Sequence, residues 1–239
     1  MDPIILARGI DRVFGSGQRA FQALHSVDMD ILPRRLTVLR GRSGSGKTCM
    51  VNILGALDAP SAGSVMLGGR DIIKLGEMGK NDLRRTQFGF IFQSFALIST
   101  MSAYENVELM LRLAGIPRQQ RHEKAVSALT DVGLEKRMQH YPAELSGGEQ
   151  QRVAIARAIV HSPKILFADE PTAELDSSMA YRVVEIFKRL ARERDIAILM
   201  TTHDVAMMDL ADDVYTLSDG RIIEHMHVTP VDAGVEVGA

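Results

Sequence analysis

The feature that most constrains this chain is the segment 41–48, which has the sequence Gly-Arg-Ser-Gly-Ser-Gly-Lys-Thr. The short apolar run 36–39 precedes it, and a helical apolar pattern follows from Lys47 to about Leu57. Glycines in such a loop adopt backbone angles that turn several N–H groups inward, where they cradle phosphate oxygens. The order strand, phosphate loop and helix therefore predicts an α/β fold that binds a nucleotide.

The end of this loop carries two side chains with predicted chemical roles. Lys47 is expected to reach the β and γ phosphates of the nucleotide, and the Thr48 hydroxyl to ligate Mg²⁺. The alternative is a flexible surface turn with a solvated lysine, which the flanking strand and helix disfavour. The predicted nucleotide-binding residues of this segment are Gly41, Arg42, Ser43, Gly44, Ser45, Gly46, Lys47, Thr48 and Cys49.

A second pattern is an apolar strand that ends in two carboxylates. Residues 165–168 are Ile-Leu-Phe-Ala, and Asp169 and Glu170 follow them. Such a strand places its carboxylates at the carboxyl edge of the sheet, beside the phosphate loop. Asp169 is therefore expected to hold Mg²⁺, and Glu170 to act as the base or polariser for an attacking water. The alternative is that both residues only cap the next turn.

The rest of the chain predicts an α/β core interrupted by helices. Strands and helices alternate after residue 146, as a parallel sheet requires. Asp219-Gly220 predicts a hairpin between strands 214–217 and 221–224, and the tail 225–239 shows no periodicity. The other predicted strands span 24–31, 88–92, 165–168 and 197–201. The other predicted helices are one opened by a capping box at Ser102 and four over 118–132, 147–161, 177–193 and 204–211.

Composition narrows the class of protein further. The chain has 239 residues, 46% of them hydrophobic, and a formal net charge of −2, which gives no general footprint for nucleic acid. Its only cysteine, Cys49, allows no intrachain disulfide and is interpreted as a small packed residue. The first eight residues are too acidic for a signal peptide, and no apolar run approaches the roughly 20 residues of a membrane span. Any membrane-spanning part is expected on another polypeptide.

The ordered motifs resemble those of the ATP-binding subunits of ABC transporters. Residues 145–149, Leu-Ser-Gly-Gly-Glu, resemble the signature of these ATPases. Gln93 matches the Q-loop glutamine, Ala173–Asp176 the D-loop, and His203 the switch histidine, while Phe14 matches an aromatic residue that stacks on adenine. The resemblance implies a P-loop NTPase of ABC type, with a RecA-like core, an antiparallel β subdomain and a helical subdomain.

The same resemblance implies a dimer that binds ATP between two copies of the chain. Ser146, Gly147 and Gly148 of one copy would contact the γ-phosphate held by the other, with Glu149 beside them. Gln93 would contact Mg²⁺ and relay to the membrane subunit, and His203 would help position water. The implied nucleotide-binding residues outside the phosphate loop are Phe14, Gln93, Ser146, Gly147, Gly148, Glu149 and Asp176, the implied metal ligands are Thr48, Gln93 and Asp169, and the implied catalytic residues are Lys47, Glu170 and His203.

Simpler roles compete at several of these positions. Ser146 could be an ordinary helix cap, His203 a partner of the next helix start, Gln93 a polar strand end, and Phe14 a core residue.

The segment just after Gln93 is apolar and contains Phe95, Leu97, Ile98 and Met101. It is interpreted as a docking surface for the membrane partner or, alternatively, as core of the helical subdomain.

Four segments are similar to ATPases of the macrolide-export, lipoprotein-release and cell-division group, namely 52–58, 88–93, 104–107 and 168–172. The chain departs from that group at Ala173-Glu174, where glycine and asparagine are usual. The predicted organisation is a core over 1–93 and 147–224, a helical subdomain over 94–146 and a tail over 225–239. The predicted state is a dimer of ATPase subunits at the cytoplasmic face of a membrane, bound to an integral membrane permease subunit.

Two other functions stay open at this point. One is a soluble ABC ATPase that acts in DNA repair or on ribosomes, which the absence of a coiled-coil insertion, a tandem copy or a basic patch disfavours. The other is a regulatory subunit that does not hydrolyse ATP, which the intact set of Lys47, Asp169, Glu170 and His203 disfavours.

Overall fold

The computed structural model describes residues 2–228 and contains two sheets. The strands are β1 (Ile5–Phe14), β2 (Phe21–Ile31), β3 (Leu36–Arg40), β4 (Ala62–Leu67), β5 (Arg70–Asp71), β6 (Phe88–Ile91), β7 (Ile165–Ala168), β8 (Ala197–Thr202), β9 (Asp213–Ser218) and β10 (Arg221–His227). The α-helices are α1 (Lys47–Leu54), α2 (Glu77–Thr86), α3 (Ala103–Leu113), α4 (Arg118–Asp131), α5 (Gly147–Ile159) and α6 (Ser177–Glu193).

The larger sheet has six strands in the order β10-β9-β3-β8-β7-β6. The five strands β9, β3, β8, β7 and β6 run parallel to one another. Strand β10 forms the edge and pairs with β9 as an antiparallel hairpin. The smaller sheet is antiparallel, in the order β2-β1-β4-β5. The predicted fold class, an α/β P-loop core with an antiparallel β part, is confirmed.

Apolar side chains pack against both faces of the larger sheet because neighbouring residues of a strand point to opposite sides. In β7, Leu166 and Ala168 belong to the core formed with helices α3 to α6. Ile165 and Phe167 belong to the other core, which includes α1 and strands of the smaller sheet. A strand that is buried on both faces carries a continuous apolar run, which is the pattern of residues 165–168.

The capping box at the start of α3 is confirmed. Ser102 Oγ accepts a hydrogen bond from Glu105 N at 3.2 Å, and Glu105 Oε2 accepts one from Ser102 N at 2.8 Å. Together these bonds satisfy two backbone donors that the helix start leaves free. Helices α3 and α4 follow β6 and precede α5, as expected for the predicted helical segment, whose limits 94–146 stay a prediction.

Several predicted limits were wrong. Helix α1 ends at Leu54, three residues early, because Ala56 has a φ of 54° and the Leu57 and Asp58 N–H groups donate to Asn52 O instead. Helix α5 ends at Ile159 rather than 161, close to Ser162 with a φ of 58°. The segment predicted as a helix over 204–211 is a 3₁₀ helix over Val205–Leu210.

The predicted end of the strand after the hairpin, Glu224, was also wrong. Strand β10 extends to His227, because residues 224–227 continue the pairing with β9. Asp219 and Gly220 have φ angles of 47° and 71°, which is the backbone of the predicted hairpin turn. The rest of the predicted tail, from residue 229, lies outside the described residues.

Four elements, β1, β4, β5 and α2, were not predicted. Irregular pairing between Ala7 and Val13 interrupts the alternation in β1, and α2 buries only Leu83 among its ten residues. Weak or broken periodicity leaves such elements without a clear sequence signal. Within residues 2–228, no helix combines the length and the apolar character needed to cross a bilayer.

Candidate functional site

A cavity of about 680 Å³ lies at the edge of the larger sheet where its parallel strands end. The loops after β3, β6, β7 and β8 meet there, because the carboxyl ends of parallel strands share one edge of a sheet. The residues that line the cavity are Arg42, Ser43, Gly44, Gly46, Lys47, Thr48, Cys49, Gln93, Glu170 and His203. The fold thus brings predicted site residues from distant parts of the chain together in one cavity.

The phosphate loop has the backbone that its glycines permit. Gly44 and Gly46 have φ angles of 79° and 105°, a region that other residues rarely adopt. A Cβ atom on Gly41 would lie 2.4 Å from the Leu217 carbonyl oxygen, so a side chain does not fit there. Ser45 Oγ is buried and has no hydrogen-bond partner within the described part of the chain. Gly41 and Ser45 lie outside the cavity lining and shape the loop from behind, whereas Gly44 and Gly46 line the cavity.

Lys47 is held inside this loop and is only 5% exposed. Its Nζ donates to Gly41 O at 2.9 Å and to Arg42 O at 3.2 Å, and it lies 3.2 Å from Glu170 Oε1. A buried ammonium group is stable only with such partners. These contacts hold the positive charge at the wall of the cavity, beside Glu170.

Glu170 connects Lys47 to His203. Its Oε2 lies 3.2 Å from His203 Nδ1, and its φ of 45° places the backbone in the left-handed region. Such a conformation in a residue other than glycine costs about 1–3 kcal/mol and persists only where the surrounding structure imposes it. Glu170 is therefore fixed between two groups of the cavity and is not a simple cap of the next turn.

Sequence reasoning missed two residues: Thr201, which holds the acidic pair, and Gln151, which binds the residue after it. Thr201 Oγ1 donates to Asp169 Oδ1 at 2.6 Å and accepts from Glu170 N at 2.8 Å. Gln151 is fully buried, and its Nε2 donates to Pro171 O at 2.7 Å. Thr201 lies near the end of β8, next to β7, so only the strand order reveals its role. The burial of Gln151 likewise becomes visible only in the structure.

The predicted metal ligands share one chemistry. Thr48 and Gln93 line the cavity, and Asp169 follows β7 at the same sheet edge. They offer a hydroxyl, an amide carbonyl and a carboxylate oxygen, which is the hard oxygen set that Mg²⁺ prefers. The residues present therefore fit this ion.

The signature segment lies elsewhere on the chain. Ser146 and Glu149 form a capping box at the start of α5: Ser146 Oγ accepts from Glu149 N at 3.3 Å, and Glu149 Oε2 accepts from Ser146 N at 2.9 Å. A Cβ atom on Gly148 would lie 2.0 Å from Met179 Cε, the end of a flexible side chain that packs beside this glycine. Within residues 2–228, none of positions 146–149 belongs to the cavity lining.

Glu149 has an ion-pair partner. Arg137 Nε donates to Glu149 Oε1 at 3.0 Å. The hydrogen bond from Ser146 is the main cause that lowers the pKa of this carboxyl, and the bond from Arg137 lowers it further. The glutamate therefore remains charged, and Arg137 compensates its charge at this helix start.

Two further predicted nucleotide contacts, Phe14 and Asp176, lie outside the cavity lining. Phe14 is 42% exposed and Arg12 Cζ lies 4.4 Å from its ring centroid, so simple core packing is excluded for this ring. Asp176 caps α6 by accepting a hydrogen bond from Met179 N at 3.0 Å. Cys49 lines the cavity and is half-buried. Burial is the main cause that raises the pKa of its thiol to about 11, so the thiol is protonated at neutral pH.

Comparison with known proteins identifies the family. The model of the family described as ABC transporter matches residues 24–173. The lipoprotein-releasing system ATP-binding protein LolD of Hyphomonas neptunium is 39% identical over 95% of this chain and 99% of its own. The macrolide export ATP-binding/permease protein MacB of Marinobacter nauticus is 42% identical over 93% of this chain, which spans about a third (34%) of that relative.

A solved structure agrees in fold. The ATP-binding cassette MJ0796, in a dimeric post-hydrolysis state bound to ADP and Pi, superposes with a TM-score of 0.86. It is 33% identical, and the match covers 94% of this chain and 99% of that one. The resemblance to lipoprotein-release and macrolide-export ATPases is thus confirmed. The chain belongs to the ABC transporter family, as one of its ATP-hydrolysing subunits.

Proposed function

We propose that this subunit hydrolyses ATP with Mg²⁺ in the cavity at the sheet edge and uses the energy to drive an integral membrane permease. The observation that carries the proposal is the Glu170 carboxylate, held 3.2 Å from both Lys47 Nζ and His203 Nδ1 in a cavity lined by the phosphate loop. A nucleotide-binding loop, a carboxylate and an imidazole in one cavity are the groups that phosphoryl transfer to water needs.

In this proposal, each group of the cavity has one task. Lys47 exchanges its bonds to the loop carbonyls and Glu170 for the β and γ phosphates, where it stabilises the charge of the transition state. Glu170 is thereby released to orient the attacking water, and His203 helps position it. Thr48, Gln93 and Asp169 would hold Mg²⁺, which would supply positive charge to offset the negative charge of the phosphates. Thr201 keeps Asp169 and Glu170 in place.

The proposed active state is a head-to-tail dimer with a second, identical chain. Ser146, Gly147 and Gly148 open a helix, so their N–H groups suit an anion, yet they lie outside the lining of the chain's own cavity. A second copy supplies them in the dimer, together with Asp176. The dimeric state named for the MJ0796 cassette supports this arrangement. Phe14 is proposed to stack on the adenine ring.

The permease is proposed to be a separate subunit that this chain meets at the cytoplasmic face of a membrane. The support is the similarity to an ATP-binding protein of a lipoprotein-releasing system and to the ATP-binding/permease protein MacB. The docking surface is the segment after Gln93, comprising Phe95, Leu97, Ile98 and Met101. When ATP binds near Gln93, this segment would move, and its movement would be transmitted to the permease.

A test of the site compares phosphate release by the wild-type chain with that of Lys47→Ala. Loss of at least about a hundredfold in steady-state ATPase activity is expected, since removal of a single preorganised charge-stabilising group typically has this effect. Lys74→Ala is the matched control, because Lys74 is an exposed surface lysine paired with Asp71. Activity of Lys47→Ala within a few-fold of the wild type would refute the assignment of the site.

A further inference from the structure

Three side chains with metal-binding groups meet at the opposite edge of the larger sheet from the nucleotide cavity. Asp213 begins β9, and His225 and His227 end β10. In the antiparallel pairing His227 lies opposite Asp213, and His225 lies opposite Tyr215. Residues two apart in a strand point to the same face, so both imidazoles lie on the face that carries Asp213. One ligand atom from each residue lies within 4.8 Å of the others.

Asp213 supplies an oxygen that both histidines share. The residue is only 2% exposed. Arg35 Nη1 binds Oδ2 at 3.1 Å, which leaves Oδ1 directed toward the imidazoles. His225 Nε2 lies 3.7 Å from Oδ1, and His227 Nδ1 forms a hydrogen bond with the same atom. Arg35 therefore orients the carboxylate and offsets part of its charge without occupying the shared oxygen.

The His225 ring is held in place by its neighbour. It stacks on Tyr215 with ring centroids 3.8 Å apart and an angle of 9° between the planes. Tyr215 is itself fixed, because its hydroxyl donates to Asp30 O at 3.1 Å. A ligand whose orientation is set by a second layer of contacts loses little entropy when it binds a metal. His227, by contrast, is mostly exposed and free to adjust.

We propose that Asp213, His225 and His227 form a binding site for a transition-metal ion, best matched by Zn²⁺. Two imidazoles and one carboxylate suit zinc, whereas Mg²⁺ and Ca²⁺ prefer oxygen ligands alone. Ligands about 2.0–2.1 Å from a tetrahedral zinc are about 3.3 Å apart. The 3.7 Å separation of His225 Nε2 from Asp213 Oδ1 is within a few tenths of an ångström of that value.

The bound ion would replace the hydrogen bond between His227 and Asp213. His227 moves outward by a rotation of its exposed side chain, and the ion takes the space between the three ligand atoms. Three protein ligands leave a fourth position for water or for a group from a partner. The site would tie β10, the edge strand of the sheet, to β9. The competing possibility is a metal-free cluster in which protonated histidines pair with the Asp213 carboxylate.

Zinc titration of the full chain distinguishes these two possibilities. Untagged, nucleotide-free protein is stripped with EDTA, dialysed, and titrated with ZnCl₂ in a calorimeter. The wild type is expected to bind one high-affinity Zn²⁺ per chain. His225→Gln and His227→Gln are each expected to weaken binding by at least about ten-fold, since even second-layer partners of a metal ligand contribute that much.

His122→Gln is the matched control, because its exposed imidazole contacts the Tyr104 hydroxyl on the helices, away from the cluster. It is expected to bind Zn²⁺ as the wild type does. Circular dichroism verifies that each variant is folded, and the thermal midpoint gives an independent readout: zinc should raise it in the wild type and in His122→Gln only. No zinc binding by the wild type, or equal binding by His225→Gln and His227→Gln, would overturn the proposal.

Discussion

Glu170 Oε1 lies 3.2 Å from Lys47 Nζ, so the proposed base and the phosphate-binding lysine neutralise each other in the cavity. The pairing keeps a buried ammonium group stable before a nucleotide arrives. In the proposed mechanism, phosphate binding to Lys47 would free Glu170 for the attacking water. One ion pair would thereby couple nucleotide binding to activation of the carboxylate.

The first prediction concerns Thr201, which connects Asp169 and Glu170 by hydrogen bonds. Thr201→Val keeps the shape of the side chain and removes both bonds. A hydrogen bond to a charged group contributes about 1.5–3 kcal/mol, and 1.4 kcal/mol is a tenfold change in rate, so kcat for ATP should fall by at least about tenfold. KM should change less, because the phosphate loop is untouched. Stopped-flow phosphate release measures both constants.

Thr37→Val is the control for this variant. Thr37 is fully buried in the neighbouring strand β3, and its hydroxyl has no hydrogen-bond partner among the described residues. The same substitution there should leave kcat and stability nearly unchanged. Equal kcat in Thr201→Val and in Thr37→Val would show that Thr201 does not position the acidic pair.

The second prediction concerns Ser146, proposed to face the partner's γ-phosphate. Ser146→Arg places a bulky side chain at the start of α5 and should reduce ATPase activity at least tenfold, while ATP binding to the monomer stays at the wild-type level. Fluorescence of a labelled ATP analogue measures the binding. Weaker monomer binding in this variant would place Ser146 in the chain's own site instead.

Mixing Ser146→Arg with Lys47→Ala gives a sharper form of the same test. In a head-to-tail dimer, one site then carries both lesions and the other carries neither. ATPase activity should rise above that of either variant alone, toward half the wild-type value. No recovery in heterodimers verified by two affinity tags would count against independent head-to-tail sites.

The third prediction concerns the proposed docking surface. The buried Asn106 side chain binds Ile98 N at 2.8 Å and Met101 O at 3.0 Å. This contact fixes the loop so that Ile98 remains 38% exposed. Ile98→Asp should therefore leave the isolated protein folded and active, yet abolish its assembly with the permease, as measured by co-purification from membranes.

Met78→Asp is the matched control, because Met78 is a highly exposed apolar residue on α2. It should assemble with the permease normally. Unfolding of Ile98→Asp would indicate that the segment is core, and normal assembly of that variant would exclude it as the docking surface.

The fourth prediction uses the lowered pKa of Glu149. A carboxyl whose pKa is lower in the folded chain than its ordinary value of 4.5 stabilises the fold at pH above 4.5, and this contribution is lost as the pH falls through the folded pKa. Glu149→Gln removes the charge but keeps a capping side chain. The wild type should therefore exceed this variant in unfolding free energy near neutral pH, and the difference should shrink in acid. Urea unfolding at several pH values measures this difference. A difference independent of pH would exclude the carboxylate charge of Glu149 as its source.

Several elements of the fold and of the site were predictable because a few neighbouring residues carry the signal for each. The glycine pattern at 41–48, the strand before Asp169 and the capping box at Ser102 each lie within a few residues. Thr201 was not predictable, since its bonds join the ends of two strands whose adjacency only the sheet order defines. The His225 and His227 pair was missed for a related reason: it continues a strand that was expected to stop at 224.

The central claim, that ATP is held between two copies of the chain, is tested most directly by Glu170→Gln. This variant keeps the shape of the side chain and loses the carboxylate that orients water, so it should bind ATP and hydrolyse it poorly. Size-exclusion chromatography with light scattering in ATP and Mg²⁺ should then show a stable dimer that reverts to a monomer when ADP replaces ATP. A variant that binds ATP yet remains monomeric in ATP and Mg²⁺ would contradict the account.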